Sequence, residues 1–209
     1  MRRYDAVIFD LDGTLLDTSP GIFGSVRYTE RKMSLPPIGE LELRDFIGPP
    51  PKQMYKKVYG LSDFDATRAT LFHREYGHTY AVKEAEVYGG ITETLDGMVN
   101  RNQYVTVATL KKQEIAEEIL SNYGLRDYFT VVVGMNKDES MTKADTIKSV
   151  IRMTGARKPI MIGDTDYDYL GAKEVGVDFL GVTYGFGFIR GRDYPFKTVD
   201  SPVELLKVV

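Results

Sequence analysis

The chain has 209 residues, enough for one sizeable core and a modest second unit. Its 27 basic against 30 acidic residues, a net charge of -3, exclude nucleic-acid binding built on bulk positive potential, and the absence of cysteine excludes disulfide and thiol chemistry. No apolar run reaches membrane-spanning length, and the start Met-Arg-Arg-Tyr-Asp-Ala meets aspartates too soon for a secretory leader, so a cytoplasmic setting without a membrane partner is expected.

In chain order, the apolar run 6–9 reads as a buried parallel strand. It ends at Asp10 and Asp12. Extended backbone repeats every two residues, so both carboxylates can face the cleft beyond the strand while Leu11 faces away, and Gly13 lets the chain turn. Two carboxylates this close repel unless a cation or a shared proton relieves them. Asp and Gly also gather at strand ends for backbone reasons alone. Ser19 is expected to cap a helix that begins at Pro20 and runs towards Met33, where Ser34-Leu-Pro-Pro-Ile-Gly39 breaks it. Short helices are expected over 40–46 and 52–58. A longer one should run from 62 or 63 to about 80, with Leu71, Phe72 and Tyr76 on one face. Nothing between 19 and 84 reads as a strand.

From Val87 the pattern alternates: helix 91–101, strand 103–109, helix 112–122 closed by Asn122-Tyr-Gly124, strand 129–134, helix 143–153, strand 159–163, helix 167–175 and strand 178–182. This predicts an α/β fold, a doubly wound parallel sheet core with an inserted helical cap. The core takes 1–18 and 85–209, the cap 19–84; strand order stays open. Three polar pieces fall at element ends. Thr109 can hold a phosphoryl oxygen through its hydroxyl and nearby N–H groups, although a buried threonine is ordinary in a strand. Lys143 opens a helix, where a cation gains nothing from the dipole but can offset acidic groups; the ordinary alternative is an exposed lysine. Asp164 and Asp168 follow the strand 159–163, and Asp166 can accept a helix N–H or face solvent.

The stretch Asp10-Leu-Asp-Gly-Thr-Leu-Leu-Asp-Thr18 resembles the first motif of the haloacid dehalogenase-like phosphohydrolases, in their phosphoglycolate phosphatase-like branch. Thr109 with Lys111 is similar to the second motif. Lys143 matches the third better than Lys137, with Ala144 where a proline is often found. Gly163-Asp-Thr-Asp-Tyr-Asp168 resembles the final acidic motif, and Gly181-Val-Thr-Tyr-Gly-Phe-Gly187 extends the likeness. The cap is matched only by position and helical character.

The resemblance implies a Mg²⁺-dependent phosphomonoester hydrolase. Asp10 would be the nucleophile that forms an aspartyl phosphate, and Asp12 the acid and then the base. Thr109 and Lys143 would stabilise the phosphoryl oxygens. Asp10, the carbonyl of Asp12, and Asp164 would hold the cation, with Asp168 orienting its ligands. The implied partner is a small phosphorylated metabolite, phosphoglycolate first; oligomeric state stays open. The alternatives are a nucleotide 5'-phosphatase, a hexose-phosphate mutase and a noncatalytic phosphometabolite-binding module. Arg44, Lys52 and Arg74 of the cap are candidates for a substrate carboxylate, or simply solvated surface. Calcium-loop, dinucleotide and nucleoside-triphosphate motifs fail on their glycine positions, and His73 and His78 lack metal-ligand spacing.

Overall fold

The computed structural model describes residues 4–138 and 140–209. They divide into two compact units: residues up to Asp17 together with Val87–Val209, and Thr18–Glu86. These boundaries lie at 17/18 and 86/87, against the 18/19 and 84/85 expected.

The first unit opens with β1 (Ala6–Phe9), buried at every position. A two-residue strand, β2 (Leu16–Asp17), leads out of the unit. The second unit consists of α1 (Ser19–Met33), α2 (Glu40–Arg44), α3 (Pro51–Tyr59), α4 (Asp63–Thr79) and a 3-10 turn at Ala81–Lys83. Its core gathers Val26 from α1, Leu43 and Phe46, Met54 and Tyr55 from α3, and Ala66 and Ala69 from α4. Thr18, not Ser19, occupies the N-cap position of α1, and it makes no side-chain cap; Ser19 and Pro20 both lie in the first turn. Glu30 is buried in this unit, where it accepts from Arg27 Nη1 at 2.9 Å, the Tyr59 hydroxyl at 2.8 Å and the Ile38 amide at 2.9 Å.

The chain returns through β3 (Glu86–Val87), which pairs with β2. There follow α5 (Ile91–Asn100), β4 (Tyr104–Lys112), α6 (Gln113–Asn122), β5 (Val131–Met135), α7 (Lys143–Thr154), β6 (Pro159–Gly163), α8 (Asp166–Val175), β7 (Asp178–Val182), β8 (Lys197–Val199) and a final turn of helix, α9 (Leu205–Val208). One six-stranded sheet has the order β5-β4-β1-β6-β7-β8 and is parallel at each of its junctions. This is the α/β, doubly wound architecture expected.

On one face α7 and α8 pack side by side, with Ile147, Val150 and Ala172 meeting Ile8, Ala108, Val131, Val133 and Met161 of the sheet. Alternation along each strand produces this: Ile8 faces α7 while its buried neighbours Val7 and Phe9 face the other way. Several features depart from the pattern read in the sequence, among them the short strands β2 and β3. β4 runs on through Thr109 to Lys112, with a break in register between Ala108 and Lys112, so α6 starts one residue late, at Gln113. α8 starts at Asp166 rather than 167. β8 and α9 were not expected at all, because three and four residues carry too little periodicity.

Candidate active site

β1 is in the middle of the sheet, at the point where strand order reverses, with Phe9 in register with Val107 on β4 and Ile162 on β6. The ends of these three strands therefore open onto one crevice, the usual ligand position in such sheets. Asp10 leaves β1 there, its amide donating to the Ile162 carbonyl at 2.9 Å. Asp164 leaves β6 at the same end, and Thr109 lies at the register break on β4. Gly13 turns the chain with φ of 75°, and a side chain there would strike both the Asp164 carboxylate and the Phe186 ring.

Lys143 is the first residue of α7. A reciprocal cap fixes that start: the Thr142 hydroxyl accepts the Asp145 amide at 3.2 Å, while Asp145 accepts the Thr142 amide at 2.9 Å. So held, the lysine turns inward and is buried. Its Nζ lies 2.6 Å from Asp10 Oδ1 and 2.8 Å from Asp168 Oδ1, and it donates to the Ala108 carbonyl at 2.9 Å. Two of its three N–H groups thus have hydrogen-bond acceptors, Asp10 and the Ala108 carbonyl, while Asp168 Oδ1 is within ion-pair range yet accepts no hydrogen bond from the described residues. Lys137, the rival for this position, is exposed.

Asp168 is fully buried, and its other oxygen accepts the Thr165 amide at 3.1 Å and the Thr165 hydroxyl at 2.8 Å. Asp164 accepts the Thr14 hydroxyl at 3.2 Å on Oδ1 and the Phe186 amide at 2.8 Å on Oδ2. Asp12 faces a different cation: Lys111 Nζ, at 3.2 Å. The Thr109 hydroxyl accepts the Lys111 amide at 3.2 Å. Asp166 is exposed.

The electrostatics follow from burying so many carboxylates. Burial pushes the Asp10 carboxyl up to about 7; Lys143 works against the rise, and the charges of Asp168 and Asp12 add to it. Asp164 is raised well above the usual range by burial and then by Asp168 and Asp10, against the pull of the Phe186 amide and the Thr14 hydroxyl. Burial alone would lower the Lys143 ammonium, but Asp10 and Asp168 hold its pKa above the usual lysine value.

Asp10, Asp164 and Asp168 each offer an oxygen within 4.8 Å of the others. Three clustered carboxylates, two of them paired with the one ammonium, make an all-oxygen, net negative set that fits a hard divalent cation such as Mg²⁺. The Asp12 carboxylate is not part of that group.

The structure therefore brings Asp10, Lys143, Asp164 and Asp168 into one cluster, with Asp12 and Thr109 beside it through Lys111. Lys111 entered the sequence reading only as part of a motif; its contact with Asp12 was not foreseen. The Phe186 amide was missed as well, and its sole trace in sequence is the pair of glycines around it. Of the cap cations, Arg44 pairs with Glu40 at 2.9 Å and Lys52 with Asp63 at 2.9 Å, both at the surface. Among the described residues, no helix is long and apolar enough to cross a membrane.

Comparison with known proteins places this arrangement. A family model of haloacid dehalogenase-like hydrolases matches residues 7–182. The chain belongs to the haloacid dehalogenase-like hydrolase family. Within it, the chain is 35% identical over 188 residues to a 5'-nucleotidase of Pseudomonas aeruginosa, covering 88% of this chain and 85% of that one. It is 31% identical over 188 residues to a phosphoglycolate phosphatase of Agrobacterium fabrum, covering 86% and 80%. The crystal structure of a predicted phosphatase from Clostridium acetobutylicum superposes with a TM-score of 0.89 at 34% identity, over 99% of this chain and 98% of that one. As a haloacid dehalogenase-like protein with such relatives, the chain is an enzyme, a phosphatase of that superfamily.

Proposed function

We propose that this phosphatase is a Mg²⁺-dependent phosphomonoester hydrolase that works through an aspartyl phosphate on Asp10. The observation that carries the reading is the buried Asp10–Lys143 contact of 2.6 Å inside the trio of carboxylates. Asp10, the carbonyl of Asp12 and Asp164 would hold the cation, with Asp168 of the same carboxylate cluster orienting its ligands, and the cation would supply positive charge that offsets the repulsion between a carboxylate and a phosphate dianion.

Asp10 attacks phosphorus in line, forming the Asp10–phosphorus bond as the bond to the leaving oxygen breaks. Asp12 gives that oxygen its proton, and in the second half takes one from the water that attacks the acyl phosphate, releasing Asp10 and inorganic phosphate. Lys143 and the Thr109 hydroxyl face the charge that shifts on the phosphoryl oxygens.

The substrate class is a small carboxylated phosphate such as phosphoglycolate. A nucleoside 5'-monophosphate is the second reading, favoured by the 35% identity to the Pseudomonas enzyme. The test is phosphate release from phosphoglycolate, other small phosphates, sugar phosphates and nucleoside monophosphates, compared as kcat/KM with and without Mg²⁺, alongside Asp10→Asn. Loss of turnover in the variant and in chelator is expected. Undiminished turnover in pure Asp10→Asn would remove Asp10 as nucleophile, and preference for a nucleoside monophosphate over every carboxylated phosphate would install the second substrate reading.

A further inference from the structure

We propose that Tyr184 is a positioning residue that holds Asp164 ready for the divalent cation, acting through Thr14 and the loop that follows β7. The inference rests on the assignment of Asp164 to the cation made above and adds a residue that assignment does not contain.

The observations form a closed circuit. The Tyr184 hydroxyl donates to the Thr14 carbonyl at 3.0 Å. The Thr14 hydroxyl donates to Asp164 Oδ1 at 3.2 Å, and the Phe186 amide, two residues after Tyr184, donates to Asp164 Oδ2 at 2.8 Å. The Phe188 amide then closes onto the Asp164 carbonyl at 3.1 Å. Side-chain torsion of an aspartate is soft, and a carboxylate that accepts one bond on each oxygen loses that freedom while each oxygen keeps a lone pair for a metal.

The loop reaches Asp164 only because its backbone comes close. A side chain on Gly185 would run into the Gly13 carbonyl and the Asp164 side chain, and one on Gly187 into the Asp164 carbonyl. The Tyr184 side chain ties this loop to the turn after β1, so it sets the distance over which the Thr14 hydroxyl must reach. Its ring is braced in turn by Tyr88, edge-on with centroids 5.0 Å apart. Burial, with the Asp164 charge and Tyr88 adding to it, raises the Tyr184 hydroxyl and keeps it in the donating form.

Groups that orient metal ligands from behind commonly change metal affinity by about 10- to 100-fold when removed. The test is Mg²⁺ affinity by isothermal titration calorimetry on the full chain without substrate, beside melting in chelator, for Tyr184→Phe, Thr14→Val, Thr14→Ser and Asp164→Asn. Tyr184→Phe should weaken Mg²⁺ about three- to tenfold and Thr14→Val about tenfold, while Thr14→Ser, which keeps the hydroxyl, stays near wild type. A Tyr184→Phe protein that melts lower in chelator yet binds Mg²⁺ as wild type has lost only structure, and the positioning role falls. If Tyr184→Phe does not fold, equal Mg²⁺ affinity in Thr14→Val and Thr14→Ser overturns the circuit. Should Asp164→Asn also bind Mg²⁺ unchanged, the failure lies in the assignment of Asp164 itself; if it abolishes binding while the others have no effect, only the positioning role is refuted.

Discussion

Replacing the proposed nucleophile should make the metal-free protein more stable. The Asp10 carboxyl is raised from 3.8 to about 7 in the folded chain, even with Lys143 2.6 Å away. The direction of that rise means that ionising Asp10 costs the native state free energy above neutrality, on the order of a few kcal/mol. An asparagine in its place would keep the shape of the protonated acid without that cost. The attraction of Lys143 is already contained in the shifted value, so its loss is not a separate penalty.

Because asparagine copies a carboxylic acid imperfectly, the expected gain from Asp10→Asn is ~2–3 kcal/mol, or about 5–10 °C in Tm for a chain of this size. The sign with pH is fixed by the direction of the shift. Wild type has the full benefit of protonated Asp10 below about pH 4 and loses it as pH rises through about 7, so the variant's advantage is near zero in acid and complete above about pH 8. Urea denaturation in chelator at about pH 5 and about pH 8 measures it, with phosphate release confirming that turnover has gone. A variant no more stable than wild type at the higher pH, or one equally stabilised at both, would refute the argument. The site is a place where stability is given up for reactivity.

Lys143→Met should lower kcat about 10²- to 10³-fold at saturating Mg²⁺ with unchanged circular dichroism, since it removes a buried cation from the proposed phosphoryl site; a loss under about threefold would count against its role. Mg²⁺ should raise Tm more at about pH 8 than at about pH 5, because protons occupy the raised Asp10 and Asp164 carboxyls in acid and compete with the metal; calorimetric melts that show the reverse order would contradict this. In the helical unit, Glu30→Ala strands the Arg27 guanidinium, the Tyr59 hydroxyl and the Ile38 amide and should cost ~2–3 kcal/mol, less than a fully buried pair because Arg27 is partly solvated. An unchanged urea midpoint would show that water replaces Glu30 without penalty.

Much of the site was legible because its residues follow buried parallel strands. Such a strand appears as an uninterrupted apolar run, so the polar residue that ends it stands out, as Asp10 and Asp164 do. Lys143 was legible because a family motif fixed its register; its burial was not, since a helix-opening lysine in isolation belongs in solvent. The period-two argument put Asp10 and Asp12 in one crevice without showing that they meet different cations, Lys143 and Lys111. Those contacts join residues 133 and 99 positions apart (143 − 10 and 111 − 12), and no local pattern encodes them. β4 was read too short because Lys111 and Lys112 break its apolar run, although pairing with β5 resumes at Lys112. The Phe186 amide is a backbone group, which residue identity cannot advertise.

The two hydrogen bonds that Lys143 already makes bear on how an anion would be held and released there. An anion that reaches this ammonium would have to compete with Asp10 and the Ala108 carbonyl, which already accept from it, and with the charge of Asp168 beside it. The displaced group remains tethered a few ångströms away, at an effective concentration no free anion in solution can match. On the proposed mechanism, inorganic phosphate left after hydrolysis would compete with acceptors that never diffuse off. The grip on a passing phosphoryl group would then be self-limiting, and the pocket would reset itself from within.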